Sequence, residues 1–260
     1  MQDMETLILQ LKQQPAFQDS TVLALECTWD KLLHEIDDLL SQLGFTSFTY
    51  SVLTRGKINP SSDIQKQKWD DGADIVGSLP DSVIKSYYRD VAHHDPLWEV
   101  LPDITSPLLV SSVVGGQGAY ADGFWQKHGV ASRVYVPMKG KSDNYWFHYF
   151  SLFHKLPAVE FEAFFNKVSE WLVPILSRYH SLLQVVCERE QNPYMKYELL
   201  SSTCQQVMKM TAQGMPVKRI ADKLALTEEG ITYHITRAKR VFGARNKTQL
   251  VAMLYEVGLL

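Results

Sequence analysis

The chain has 260 residues, 45% apolar content and a net charge of −3, which is typical of a globular protein long enough for two folding units. No run of about 18 apolar residues could span a membrane, and the acidic start Met1 to Glu5 is unlike a signal peptide, so we expect a cytoplasmic protein. Its three cysteines, Cys27, Cys187 and Cys204, have unrelated spacings that argue against a disulfide framework or a metal site.

The first part of the chain predicts helices and strands in alternation. Apolar residues at helical spacing from Leu23 to Leu43 predict an amphipathic helix that ends at Gly44, and the β-rich run 45–53 predicts a strand. The polar segment 57–74 predicts a loop before a second strand around Ile75 and Val76. A further helix is expected from Pro80 to Val91.

A hairpin and a long helix are predicted next. After a helix near 119–128, the runs 133–137 and 145–153 predict two strands joined by the polar connection 140–144. Apolar spacing from Phe161 to Val186 predicts a long helix with a bend at Pro174. Together these elements predict an α+β unit in which helices cover a central antiparallel sheet.

Two local motifs in this region resemble chemical sites. His93-His94-Asp95 contains ligand types for a metal, but neighbours in sequence rarely converge on one ion. The glycine-rich run 115–118 lacks the Lys-Ser or Lys-Thr that would follow in a phosphate loop. Because no nucleophile, base and orienting group form a pattern, we expect no metal, no cofactor and no enzymatic activity.

The last sixty residues predict four short helices separated by caps and breakers. The first follows Ser201 or Ser202 and stops before Gly214; the second begins at Pro216. Capping residues set the other bounds: Thr227 and Gly243 for the third helix, and Asn246 for the start of the fourth. Only 225–227 separate the second and third helices, which predicts a helix-turn-helix whose second member enters the major groove.

Charge distinguishes this unit from a plain helical bundle with a solvated face. Residues 192–260 contain ten Lys and Arg against five Asp and Glu, a net charge of +5, whereas the preceding residues have a net charge of −8. Such asymmetry is typical of a nucleic-acid-binding module attached to another domain.

Several short motifs recur here at a recognisable spacing. They are Leu200-Ser201, Thr211-Ala212-Gln213-Gly214, Ile220-Ala221, Leu224, Ile231-Thr232-Tyr233-His234, Asn246-Lys247-Thr248-Gln249 and Val257-Gly258-Leu259-Leu260. In this order they resemble the LuxR-type helix-turn-helix. The chain departs from that pattern at Cys204, where the family usually has Glu, at Met208 in place of Leu, and at Gly230 in place of Thr or Ser.

The resemblance implies a homodimer that binds a palindromic DNA operator. Thr232 and Thr236 fall where the family reads bases, Tyr233 faces outward beside them, and Glu229 can accept from a cytosine amine. Basic residues suited to phosphate contact complete the predicted interface: Lys218, Arg237, Arg240 and Lys247.

The N-terminal region resembles the autoinducer-binding domain of LuxR-type quorum-sensing regulators. Tyr88, Asp95-Pro96 and His128-Gly129-Val130 match, although two residues fewer separate Tyr88 from Asp95. Leu79 and Val83 stand where the family has a Tyr and a Trp, and Arg133 stands where it has a Gly. The resemblance implies an α-β-α sandwich around an acyl-homoserine lactone whose amide N–H is accepted by the Asp; the departures predict a non-standard ligand.

The expected organisation is a sensor domain over 1–187, a linker over 188–196 and a helix-turn-helix domain over 197–260. The predicted ligand contacts are the carboxylate of Asp95 and five aromatic side chains: Tyr50, Tyr88, Trp98, Tyr135 and Tyr149. The alternative for each aromatic residue is that it fills a core. The alternatives to a signal-sensing transcription regulator are a ligand-independent regulator, a heterodimerising antagonist, and an enzyme with an appended DNA-binding module.

Overall fold

The computed structural model describes residues 28–54, 75–110, 119–139, 146–186, 192–196 and 198–260. Several predictions lie outside these residues: Cys27, Cys187, the loop 57–74, the glycine-rich run 115–118 and the connection 140–144. Among the helices of the described ranges, none is both long and apolar enough to cross a membrane.

A five-stranded antiparallel sheet forms the centre of the N-terminal domain, in the order β2-β1-β5-β4-β3. Its strands are β1 (Phe45–Thr54), β2 (Ile75–Gly77), β3 (Leu108–Leu109), β4 (Ser132–Met138) and β5 (Trp146–His154). The predicted strands are confirmed. The sequence analysis did not identify β3, since a strand of two residues leaves no period-2 pattern.

One face of the sheet packs against two helices, α1 (Trp29–Gln42) and α5 (Ala158–Val186). Phe48 and Phe150 on this face are fully buried against apolar residues of both helices. Thr28 caps α1 by accepting from the backbone N–H of Lys31. The helix α5 continues through Pro174. Among the described residues of the domain, this layer contains the largest apolar core.

The opposite face of the sheet is covered by shorter helices. These are α2 (Asp81–Asp90), α3 (Leu97–Val100) and α4 (Ala119–Lys127), with single 3-10 turns at Ala92–His94 and Leu101–Asp103. Since strand side chains alternate between the two faces, Thr49 and Ser51 lie on this side while their neighbours face α5. The predicted α+β class, with helices on both faces of the sheet, is confirmed.

The four predicted C-terminal helices are confirmed as α7 (Ser202–Ala212), α8 (Val217–Leu224), α9 (Glu228–Phe242) and α10 (Lys247–Glu256). Ser201, Thr227 and Asn246 cap α7, α9 and α10 with their side chains. Ala225, at φ +51°, turns the chain between α8 and α9 in the left-handed region. Val207, Ile220, Ala221 and Ile231 join the three helices of the motif in one core.

The predicted linker contains ordered structure. A short helix, α6 (Pro193–Lys196), lies within it, and Tyr194 is buried between the two domains. The Tyr194 ring stacks on Phe242 of α9, with 4.8 Å between ring centroids, and lies 5.4 Å from Trp146 of β5. The start of β5 is therefore connected to the end of α9 through one aromatic side chain.

Candidate nucleic-acid interface and ligand pocket

The helix α9 presents a polar face to solvent because its apolar residues are used in packing. Ile231, Ala238 and Phe242 are buried against the rest of the domain. Thr227 holds the first turn by accepting from the backbone N–H of Gly230 at 3.0 Å. The acidic residues of α9 lie in its first turn and basic residues lie in its last turn, which is the favourable arrangement for the helix dipole.

Most predicted DNA contacts lie on that exposed face. Exposed positions of α9 include five of them: Glu229, Thr232, Tyr233, Thr236 and Arg240. The side chain of Tyr233 is 61% exposed, so its aromatic ring is available for contact with a binding partner. The Thr232 hydroxyl donates to the carbonyl of Glu228 at 2.9 Å, which leaves the Thr232 methyl group and the oxygen lone pairs available to a partner.

The remaining predicted DNA contacts lie at the margins of α9 and on its neighbours. Arg237 is half-buried beside Cys204 of α7. Lys218 is exposed in the first turn of α8, and Lys247 is the exposed first residue of α10. Burial raises the pKa of the Cys204 thiol to about 11, so the residue that replaces the family's Glu is uncharged at neutral pH.

A pocket lies between the sheet and the helices α2, α3 and α4. Seven of its wall residues are aromatic: Tyr87, Tyr88, Trp98, Trp125, Tyr135, Tyr149 and Phe153. The remaining walls are Thr49, Ser51, Ile75, Leu79, Ile84 and Ser151. The free space at its centre is about 30 Å³, which is room for about two water molecules. A larger occupant requires the aromatic walls to change rotamer.

Four predicted ligand contacts, Tyr88, Trp98, Tyr135 and Tyr149, are brought together in this pocket. Tyr50 does not line this pocket, because the strand alternation points its side chain to the opposite face of the sheet; its contact with a ligand stays a prediction. There its hydroxyl lies 2.7 Å from Nδ1 of His180 in α5, and its ring stacks on His148. Two residues of β1 reach the pocket, Thr49 and Ser51, which flank Tyr50 in the sequence.

Asp95 lies next to the pocket, where the protein itself supplies its donors. The Tyr87 hydroxyl donates to Oδ2 at 2.7 Å and the Leu97 backbone N–H donates to Oδ1 at 3.1 Å. The Trp98 indole N–H in turn donates to the Tyr87 oxygen at 3.2 Å. Burial, followed by the nearby Tyr135 and Asp95, raises the pKa of Tyr87 well above its usual value, so its O–H remains a donor. The protein therefore supplies a donor to each carboxylate oxygen of Asp95, and the contact of Asp95 with a ligand stays a prediction.

Arg133 of β4 is one of several residues of this region that were not predicted as site residues, with Ser51, Tyr87 and Trp125. The side chain of Arg133 is 3% exposed; Nη2 donates to Oδ1 of Asp122 at 3.1 Å, and Nη1 lies 3.5 Å from Oδ2 of Asp95, an ion pair without hydrogen-bond geometry. The guanidinium group lies over the Trp125 ring, 5.1 Å from its centroid. One feature of the sequence could have identified Arg133: it stands at the position of the family's Gly, in a strand otherwise rich in apolar residues.

A wider cleft of about 470 Å³ lies on the other side of these residues, between α4 and the start of α5. Arg133 and Asp122 line it, and Trp125 lines both the cleft and the pocket. Among His, Cys, Asp and Glu of the described ranges, no group of three or more is placed to hold a metal ion.

The geometry of 198–260 defines a class of protein. A tri-helical core, a short left-handed turn and a capped helix with an exposed polar face form a DNA-binding helix-turn-helix domain. Residues 198–254 match the GerE family model, described as bacterial regulatory proteins of the luxR family. The C-terminal domain thus belongs to the LuxR family, as the sequence motifs predicted.

Two solved structures of SdiA are similar to the chain. One, from Escherichia coli, has 15% identity and a TM-score of 0.42, and the match covers 92% of this chain and 94% of that one. The other is SdiA in complex with octanoyl-rac-glycerol, with 16% identity, a TM-score of 0.47, and coverage of 98% and 93%. No curated protein sequence matches the chain.

Proposed function

We propose that this protein is a transcription regulator whose N-terminal domain binds a small molecule in the aromatic pocket and thereby controls how the LuxR-family domain binds DNA. The observation that carries the proposal is the pocket itself: seven aromatic walls and a few polar groups, in a domain joined to a DNA-binding domain. Apolar enclosures with few polar groups are the usual form of small-molecule sites.

In this proposal α9 enters the major groove. Thr236 and Tyr233 face base edges, where a threonine methyl or an aromatic ring contacts the thymine methyl, and Glu229 accepts from a cytosine amine. Arg240, Lys218 and Lys247 bind phosphates and set the register. These positions are supported by their exposure and by the net charge of +5 in 192–260.

We also propose that the protein binds a palindrome as a homodimer, since one helix-turn-helix buries too little surface to hold a half-site well. We place part of the interface on α5. Most of its apolar residues pack inside the domain core. Its second half offers a partner an exposed stripe of Pro174, Ser177, Ser181 and Val185, with the partly exposed Arg178 on the same face.

The dimer proposal is tested by placing a charge on that stripe. Ser181→Arg should shift the protein toward monomer and weaken operator binding, because a buried unpaired charge opposes association. Ala163→Arg, at an exposed position in the first half of the same helix, is the matched control. Sedimentation velocity with and without operator DNA measures both. If the wild-type protein stays monomeric on operator DNA at saturation, the dimer proposal is wrong.

The sensing step is tested on protein purified from its own organism. Native mass spectrometry should reveal a retained small molecule, and adding that molecule to ligand-free protein should raise the melting temperature as its concentration passes the dissociation constant. Tyr149→Ala, which opens the pocket wall, should reduce the shift. Exposed Lys31→Ala on α1 is the control.

A second candidate function is favoured by two observations. The pocket has only about 30 Å³ of free space, and Asp95 is already paired within the protein, so the domain could fold without any ligand. A ligand-independent regulator should bind its operator with full affinity when produced in a foreign host, with no retained mass and no response to added molecules. The same mass spectrometry and DNA titration therefore separate the two functions.

A further inference from the structure

The polar end of the pocket indicates the chemical class of its ligand, an inference that rests on the proposed sensing function. Asp95, which lies next to the pocket, is 4% exposed and carries a carboxylate that can accept an N–H. A carboxylate offers about four lone-pair directions. Tyr87 and Leu97 already donate to it, and Arg133 Nη1 lies 3.5 Å from Oδ2 as an ion pair.

Charge balance favours an uncharged ligand. Arg133 and Asp95 carry opposite charges and are both almost completely removed from water. Asp122, the second carboxylate on Arg133, is 44% exposed and can be screened by solvent. A ligand with a net charge would add a buried charge that this balanced pair does not neutralise.

Two polar groups of the pocket walls remain without a partner among the described residues. They are the Ser51 hydroxyl and the Trp125 indole N–H, and both residues are at least 95% buried. An indole N–H can only donate, and a serine hydroxyl can donate as well as accept. Because an unpaired buried donor costs free energy, the matching ligand group is a hydrogen-bond acceptor.

We propose that this pocket takes an uncharged aromatic molecule with a carbonyl acceptor, bound by the Ser51 hydroxyl and the Trp125 N–H, and that Arg133 occupies the place at Asp95 which a ligand amide would otherwise fill. The aromatic walls supply the stacking surface. Trp125 borders both the pocket and the wider cleft, so a change in its rotamer enlarges the space available.

Three matched probes test the ligand class on the full-length wild-type protein: an alkyl phenyl ketone, the N-alkyl benzamide of the same length, and the 4-alkylbenzoate anion with the same alkyl chain. The ketone should raise the melting temperature and bind about tenfold more tightly than the benzamide, because the benzamide N–H adds a donor to a site whose unpartnered Ser51 and Trp125 groups are themselves donors. The benzoate should produce no shift near neutral pH, because its charge would be unpaired.

Substitutions identify the donors. Trp125→Phe keeps an aromatic ring but removes the N–H, and should weaken ketone binding about fivefold; Ser51→Ala should have a similar effect. Trp171→Phe on α5, outside the pocket, is the matched control and should change nothing. Arg133→Gly frees Asp95 and should reverse the preference from ketone to benzamide; the other comparisons remain decisive if that variant does not fold.

The outcomes separate two failures. Tighter binding of the benzamide or the benzoate by the wild-type protein, or ketone binding unaffected by both Trp125→Phe and Ser51→Ala, would overturn the inference about ligand class and leave the pocket in place. If none of the three probes raises the melting temperature, the inference about ligand class is overturned. The proposed sensing function fails with it only if native mass spectrometry also finds no retained molecule, and the ligand-independent function then takes its place.

Discussion

Arg133 lies 3.5 Å from Asp95 with both side chains almost fully buried, which joins β4 to the turn between α2 and α3. The residues are far apart in sequence, so the ion pair forms only when the helical layer is docked on the sheet. Removing one partner from such a pair leaves an uncompensated buried charge.

This pair yields the first prediction. Arg133→Met should lower the free energy of unfolding by about 3–5 kcal/mol, because Asp95 loses its positive partner while its hydrogen bonds to Tyr87 and Leu97 remain. The double variant Asp95→Asn with Arg133→Met removes both charges and should recover much of the loss. Urea unfolding measures the cycle. If the loss in the double variant equals the sum of the losses from Asp95→Asn and Arg133→Met alone, the pair contributes no coupling.

The second prediction separates base contacts from phosphate contacts on α9. Thr236→Ala should change which operator sequences are preferred, whereas Arg240→Ala should weaken binding to all sequences and reduce the salt slope by about one unit. Fluorescence anisotropy on operator variants at several salt concentrations measures both. Lys31→Ala, exposed on α1, serves as the control. Identical effects of the two substitutions on every sequence would contradict this division.

The third prediction concerns Gly230 in the first turn of α9. A β-carbon built there would lie 3.4 Å from the Thr227 side-chain oxygen and 3.9 Å from the β-carbon of Leu226, which are ordinary contacts. Gly230→Ala should therefore stabilise the protein by about 0.5–1 kcal/mol, since alanine loses less backbone entropy in a helix. Gly243→Ala is the contrasting variant, because φ is +65° there and alanine should destabilise. Thermal unfolding distinguishes the two.

The C-terminal domain could be predicted closely because its signals are local. Thr227 and Asn246 cap the helices that their positions predicted, and Gly243 ends α9 in the left-handed region. The helix bounds therefore follow from short-range chemistry that the sequence displays directly. The long runs that form β1 and β5 were predictable for the same reason.

The pocket was only partly predictable because its composition depends on which face of each strand is buried. Tyr50 and its neighbours Thr49 and Ser51 sit in one β-rich run that is buried on both faces, so hydrophobicity alone does not indicate which face carries the pocket. The contact between Arg133 and Asp95 is non-local, and no spacing rule predicts it.

The fourth prediction is a pH dependence from the buried histidine of α5. Burial lowers the pKa of His180 to about 4, below the value of about 6.5 in an unfolded chain, so the unfolded state binds the proton more tightly. The stability that His180 contributes is complete above about pH 6.5 and is lost as the pH falls towards 4, by up to about 3 kcal/mol. His180→Gln keeps an acceptor for Tyr50 and should remove this part of the pH dependence; parallel curves for both proteins would contradict it.

The last prediction concerns the aromatic contact between the domains. Tyr194 is 6% exposed and packs between Trp146 of β5 and Phe242 of α9. Tyr194→Ala leaves a cavity at this junction and should cost about 3–5 kcal/mol, whereas Tyr194→Phe keeps the ring and should be nearly neutral. Since both domains contribute to the contact, Tyr194→Ala should also separate their unfolding into two transitions. Calorimetry of the three proteins measures this, and a single transition in Tyr194→Ala at the wild-type temperature would show that the junction does not couple the domains.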